Sequence, residues 1–140
     1  MFTLATYNTF LIVMAIVAVI VFIALFFVDA GYGYLFNPKF GFPVPNRIAW
    51  VIMECPVFIV MAILWWLSDV RFEIVPLVLF VIFQTHYFQR SFIFPFLIRG
   101  NSKMPITIML MGATFNTLNA LMQGGWIFYL APEQGYYEGW

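Results

Sequence analysis

Four stretches of this chain, Thr9–Val28, Arg47–Leu67, Ile74–Ile98 and Ile106–Ala131, are apolar over a length that matches a lipid bilayer. About 20 residues at 1.5 Å rise cross roughly 30 Å of hydrocarbon. At that depth the backbone must satisfy its own hydrogen bonds, so each stretch is expected to be a helix. Charge is scarce enough to agree: 9% of residues are charged against about 25% in soluble domains. The expectation is an all-α integral membrane protein, with residues 1–140 forming a single membrane domain of four transmembrane helices.

Met1 to Val28 holds no charged side chain, and neither a basic n-region nor a small-residue cleavage site is present, so the first helix reads as a retained one. The segment DAGYGYLFNPKFGFPVPN, rich in Gly, Pro and Asn, is the first loop. Asp69–Glu73 makes a tight second connection, and in RGNSKMP the residue Pro105 can start the fourth helix. Loops one and three hold Lys39, Arg47, Arg99 and Lys103, whereas loop two holds only Arg71. By the positive-inside rule loops one and three are cytoplasmic, in the inner membrane of a bacterium or the endoplasmic reticulum of a eukaryote.

Composition excludes several classes. Zero net charge and the lack of a basic cluster argue against nucleic acid. Cys55 is the only cysteine, which rules out an intrachain disulfide, a CxxC redox pair and a cysteine-rich zinc site. His86 has one acid and one thiol as strong ligand candidates, so no metal site is expected. Gly31-Tyr32-Gly33 has the GYG of a potassium filter but lacks the preceding Thr-Val and a pore helix.

The sharpest feature is Glu54, alone among apolar residues in RIAWVIMECPVFIVMAILWWL. An acid at bilayer depth costs roughly 2.5–3.5 kcal/mol on insertion scales. Burial disfavours the charged form, so a proton-bearing carboxyl that donates a hydrogen bond is expected. The bland alternative is an acid that ties helices together. Pro56 is expected to kink the second helix just after it.

Helix three carries Gln84, Thr85, His86, Tyr87, Gln89, Arg90 and Ser91 as a polar block. At 3.6 residues per turn Tyr87 shares a face with Gln84, Arg90 and Ser91, and His86 pairs with Arg90. Arg90 lies about 13 Å below the cytoplasmic helix end. It either snorkels or receives a phosphate or a carboxamide. On helix four Gly112, Asn116, Asn119 and Gln123 form one stripe, suited to helix packing or to a ligand.

The stretches AGYGYL, PNRIAWVIMECPVF, HYFQRSFIFPFLIRGNSKMP and TFNTLNALMQG, taken in order, resemble the steroid 5α-reductase family of membrane reductases. Members of that family are near twice this length, with about seven transmembrane helices, so the chain resembles the N-terminal half of such a bundle. The resemblance implies a C-terminal half, on the same or a separate chain, and NADPH as cofactor. It also implies membrane lipid surroundings and a steroid or similar lipid enone as substrate.

By the same resemblance Glu54 and Tyr87 are catalytic and bind the 3-keto oxygen. Tyr32, Arg90, Arg99 and Asn119 contact the cofactor, while Trp50, Met53 and Phe115 join Glu54 and Tyr87 at the substrate. Met53 stands where the family usually has glutamine, which removes one amide beside Glu54. The implied reaction is 5α-reduction of a 3-oxo-Δ4-steroid, with hydride arriving at the β-carbon. Two donors on the ketone would stabilise an enolate-like transition state. A related enoyl or polyprenol reductase, or a non-catalytic four-helix subunit, are the competing readings.

Overall fold

A computed structural model describes residues 3–28, 31 and 36–139. They form an all-helical protein. Helix α1 spans Leu4–Ala24, α2 Asn46–Trp66, α3 Ile74–Phe88, α4 Phe94–Leu97, α5 Ile106–Gly125 and α6 Ala131–Glu133. A π-helical turn, Gln89–Ile93, joins α3 to α4, and a second, Trp126–Leu130, joins α5 to α6. Two helices, α1 and α2, are individually long and apolar enough to cross a membrane.

The expected start of the first helix at Thr9 is corrected to Leu4, because a side chain caps it. Thr3 Oγ1 accepts from the Thr6 amide at 3.2 Å, satisfying one of the orphan donors of the first turn. That helix ends at Ala24, short of the expected Val28. The other three segments begin and end within one or two residues of expectation. Pro56 lies inside α2 without ending it.

Both π turns have a visible cause. Proline lacks an amide hydrogen, and its ring crowds the carbonyl four residues back. Pro95 and Pro132 each follow a π turn by two residues. The helix widens there: Phe94 N–H bonds Gln89 O, and Ala131 N–H bonds Trp126 O, each five residues back. The carbonyl opposite Pro132, that of Phe128, is taken instead by Ser68 Oγ at 3.2 Å.

Loops one and three meet at one end of the bundle. Strand β1 (Pro43–Pro45) pairs antiparallel with β2 (Lys103–Pro105), with Val44 opposite Met104. Asn46 N donates to Ser102 O at 3.0 Å, Ile106 N to Phe42 O at 2.9 Å, and the Arg47 guanidinium reaches Ile98 O at 3.0 Å. These bonds fix where α2 and α5 start, side by side.

The α2–α5 seam is the backbone of the fold. Val57, Met61, Ala120, Ile127 and Phe128 make one buried cluster, and Ala49, Met104 and Met109 another. Glu54 lies between them along α2. On α5 the seam is lined at every fourth position by Gly112, Asn116, Ala120 and Gly124, a ladder of small residues that lets helices approach closely. A Cβ on Gly112 would sit 2.4 Å from Met53 Sδ, and one on Gly124 would sit 2.6 Å from Leu64 Cδ1.

Gly112→Ala is therefore expected to destabilise the protein by about 1–3 kcal/mol through overpacking. Met53→Ala in the same chain is expected to return part of that loss. A thermal-unfolding double-mutant cycle in detergent measures it, and simple additivity would show that the two side chains do not compete for one space.

By contrast α1 touches the bundle lightly. Tyr7 is its only buried residue; its hydroxyl donates to Met122 O at 2.9 Å and its ring stacks on Trp126. Ile12, Val13, Ile16, Val19, Ile20 and Phe22 stand exposed around the helix, as lipid contact requires.

Candidate functional site

Three helical segments converge on Glu54, which is 2% exposed at mid-length of α2. Arg90 Nη2, from the π turn after α3, donates to Glu54 Oε1 at 2.6 Å. Asn116 Nδ2, from α5, reaches Glu54 Oε2 at 3.3 Å and the Met53 carbonyl at 2.8 Å. Trp50, one turn before Glu54, offers its ring face to the Arg90 guanidinium, whose Cζ lies 5.5 Å from the ring centroid. Phe94 packs edge-on against Trp50.

Tyr87 stands beside this cluster. Its hydroxyl oxygen accepts from Asn119 Nδ2 at 3.0 Å, and Phe83 and His86 flank its ring. No hydrogen bond among the described residues joins Glu54 to Tyr87. Helix α5 links them instead, since Asn116 and Asn119 are one turn apart and each holds one of the two groups. With its oxygen occupied by an amide donor, the Tyr87 O–H is left to donate elsewhere.

Several expectations are revised by this geometry. Glu54 was expected to be a proton-bearing donor. Both of its oxygens face donors, a guanidinium and an amide. Arg90 was expected beside His86. Arg90 bonds Glu54 on α2 instead, while His86 is exposed with its ring edge on Tyr87. Within the polar block Gln84 donates to the Phe58 carbonyl at 3.2 Å and Thr85 bonds back to Val81 O, so both serve helix structure.

The amide stripe divides. Asn116 and Asn119 face the site, whereas Gln123 is exposed and Gly112 is the notch for Met53. Met53 packs in the α2–α5 seam, and Phe115, 58% exposed, lies on the outer side of α5. Arg99 is exposed in the loop after α4, with no hydrogen bond to the cluster among the described residues. Tyr32 and most of AGYGYL lie outside the described residues. Two open clefts, about 550 and 390 Å³, occur at the Asp69–Glu73 end, lined by residues such as Phe72, Glu73, Trp126 and Tyr137; neither includes Glu54 or Tyr87.

Sequence reasoning missed Asn116 as a partner of Glu54, and it missed both π turns. The signals were present: Phe94-Pro95 and Ala131-Pro132 each place a proline inside an apolar run, and the four-residue ladder through Asn116 marks the face of α5 that meets α2.

A helical membrane protein with a buried acid paired to a partly exposed arginine, and a tyrosine beside them, is the class these features define. No protein-family model matches the chain. Curated proteins do. The 3-oxo-5-alpha-steroid 4-dehydrogenase 1 of Macaca fascicularis is 32% identical over 115 residues, covering 80% of this chain and 42% of that protein. The 3-oxo-5-alpha-steroid 4-dehydrogenase 2 of Mus musculus is 37% identical over 100 residues, covering 69% of this chain and 39% of its own length. Steroid 5-alpha-reductase DET2 of Arabidopsis thaliana is 30% identical over 117 residues, covering 79% and 45%. The chain belongs to the steroid 5α-reductase family, and it spans about half the length of the curated relatives it matches.

Proposed function

We propose that these residues form the enone-binding part of a membrane-embedded reductase that uses NADPH to reduce the C4–C5 double bond of 3-oxo-Δ4-steroids. The observation that carries the reading is that asparagines one turn apart on α5 hold Glu54 and Tyr87, in a chain whose relatives are named steroid 5α-reductases. All four helical segments cross the membrane in this proposal, with loops one and three in the cytoplasm. Residues outside the 140 described by this sequence, on the same chain or a separate one, complete the cofactor site.

The chemistry follows from the residue types. Hydride attack at the β-carbon moves negative charge onto the 3-keto oxygen, and donors aimed at that oxygen lower the barrier. Tyr87 supplies one, because Asn119 occupies its oxygen and leaves its hydrogen to the ketone. Glu54, held by Arg90 and Asn116 at its two oxygens, is the second group proposed to meet that oxygen. Trp50 presents apolar surface suited to a flat lipid, whereas Met53 is packed against Gly112 and Phe115 is exposed on the outer side of α5, so neither is counted in this pocket.

The cofactor supplies the hydride when bound. The residues present fit part of it. Arg90 keeps 41% of its side chain exposed and has N–H groups beyond the one on Glu54. Asn119 Oδ1 remains to accept from a carboxamide, and Tyr32 and Arg99 are the further proposed contacts.

The test is reduction of a 3-oxo-Δ4-steroid by the complete protein in membranes supplied with NADPH. Formation of the 5α-reduced ketone is the expected result. A protein that binds NADPH but turns over only thioester or isoprenoid enones would replace the steroid by those substrates.

A further inference from the structure

Met53 and Glu54 are neighbours on α2, yet only one residue of α5 bonds both. The Asn116 amide nitrogen has two hydrogens; one meets the Met53 carbonyl at 2.8 Å and the other lies toward Glu54 Oε2 at 3.3 Å. Asn116 is itself 7% exposed, so neither bond competes with much solvent. The Met53 side chain offers no donor and is packed against Gly112, one turn before Asn116. The other partner of Glu54 is Arg90, a long side chain 41% exposed, which alone fixes one carboxyl oxygen and leaves the plane free to turn.

We infer that Asn116 is a positioning residue: it fixes the plane of the Glu54 carboxyl from α5, leaving Arg90 free to exchange partners without the acid losing its direction. The inference rests on the reading of Glu54 as a ketone-binding group. It goes beyond it by placing the control of that group on a helix that carries no charge. The bond to Met53 O is ordinary helix pairing. The bond to Oε2 is not, because an amide placed only to join helices has no need to lie within reach of a carboxyl.

The experiment uses the complete protein in lipid, with Asn116→Ala and Asn116→Leu. Alanine continues the small-residue ladder of α5 and so preserves the seam, and leucine refills the volume without a donor. Thr117→Val is the control, since Thr117 bonds only the Ala113 carbonyl of its own helix. The first readout is the infrared carboxyl or carboxylate signal of Glu54, isolated as the difference between the native protein and Glu54→Gln. It is expected to shift in both Asn116 variants and to stay put in Thr117→Val.

The second readout is steroid turnover, where kcat is expected to fall roughly 10- to 100-fold, the usual loss when a supporting partner is removed, with KM changed less than about threefold. An unmoved Glu54 band in both Asn116 variants overturns the inference, as does a loss confined to KM. The infrared readout does not need turnover. A band shift in the Asn116 variants of a protein whose native form reduces no steroid would end the functional reading and leave the Asn116–Glu54 link standing.

Discussion

Glu54→Leu is expected to lower steroid turnover of the complete enzyme by 1,000-fold or more, with NADPH binding nearly unchanged. One oxyanion donor is typically worth roughly 100- to 1,000-fold in rate. Leucine removes that donor and also releases Arg90 and Asn116 from their shared partner. Glu54→Gln is expected to be milder, because its amide can still donate to the ketone, although it no longer pairs with the guanidinium as a charge. Tyr87→Phe belongs with the larger losses. It keeps the ring contacts with Phe83 and His86 and deletes only the hydroxyl that Asn119 holds.

Stability separates chemistry from collapse in these variants. Removing one partner of a fully buried ion pair costs about 3–5 kcal/mol. Arg90 is 41% exposed among these residues and has the cofactor as a further proposed partner, so the loss here falls short of that range. Unfolding midpoints that stay close to native beside a collapsed kcat would place the effect on the reaction. Native kcat in Glu54→Leu would remove Glu54 from it.

How much of this was legible beforehand differs from residue to residue. Isolation of Glu54 in an apolar run was enough to single it out, because few physical reasons keep an acid there. Its partners were harder to read. Face arithmetic at 3.6 residues per turn set Arg90 against His86, but the group Arg90 bonds lies on α2, outside the reach of spacing along one helix. Asn116 was visible as one amide in a stripe, but its target lies on another helix, and spacing within one helix says nothing of what faces it.

Gly112 looked like part of a polar face for the same reason. Only the Met53 side chain filling the space above it shows that the position needs a missing Cβ. The start of α1 lies earlier than hydrophobicity suggests because a threonine side chain caps it. Turn chemistry, proline placement and cross-helix contacts were the levels at which pattern alone stopped being informative.

Residues 1–140 expressed alone are expected to bind NADPH weakly, with no saturation below about 1 mM. The reason lies on the outer faces of α3 and α5. Thr85, His86 and Gln89 on one segment and Gln123 on the other are exposed in helices that the proposal places within the membrane. Lipid offers no partners to such groups, so protein from beyond this sequence is expected to cover them. The buried Oε1 of Gln84 and Oγ of Ser91 also lack partners among the described residues. Each such group costs roughly 1–3 kcal/mol until it is met.

A region that supplies those partners would bring the contacts for the adenine and phosphates. It would leave Arg90, Asn119 and Tyr32 to reach the cofactor from this side. Equilibrium binding in nanodiscs measures the first part. Chemical crosslinking of cysteines placed at Gln89 and Gln123 to the remaining region of the protein measures the second. Crosslinks at these two positions, with none at the lipid-facing Ile16 of α1, would identify the face that the rest of the enzyme covers. Tight, stoichiometric NADPH binding by residues 1–140 alone would instead mean that these helices hold the whole cofactor site. The exposed polar residues of α3 would then be its lining rather than an unpaired interface.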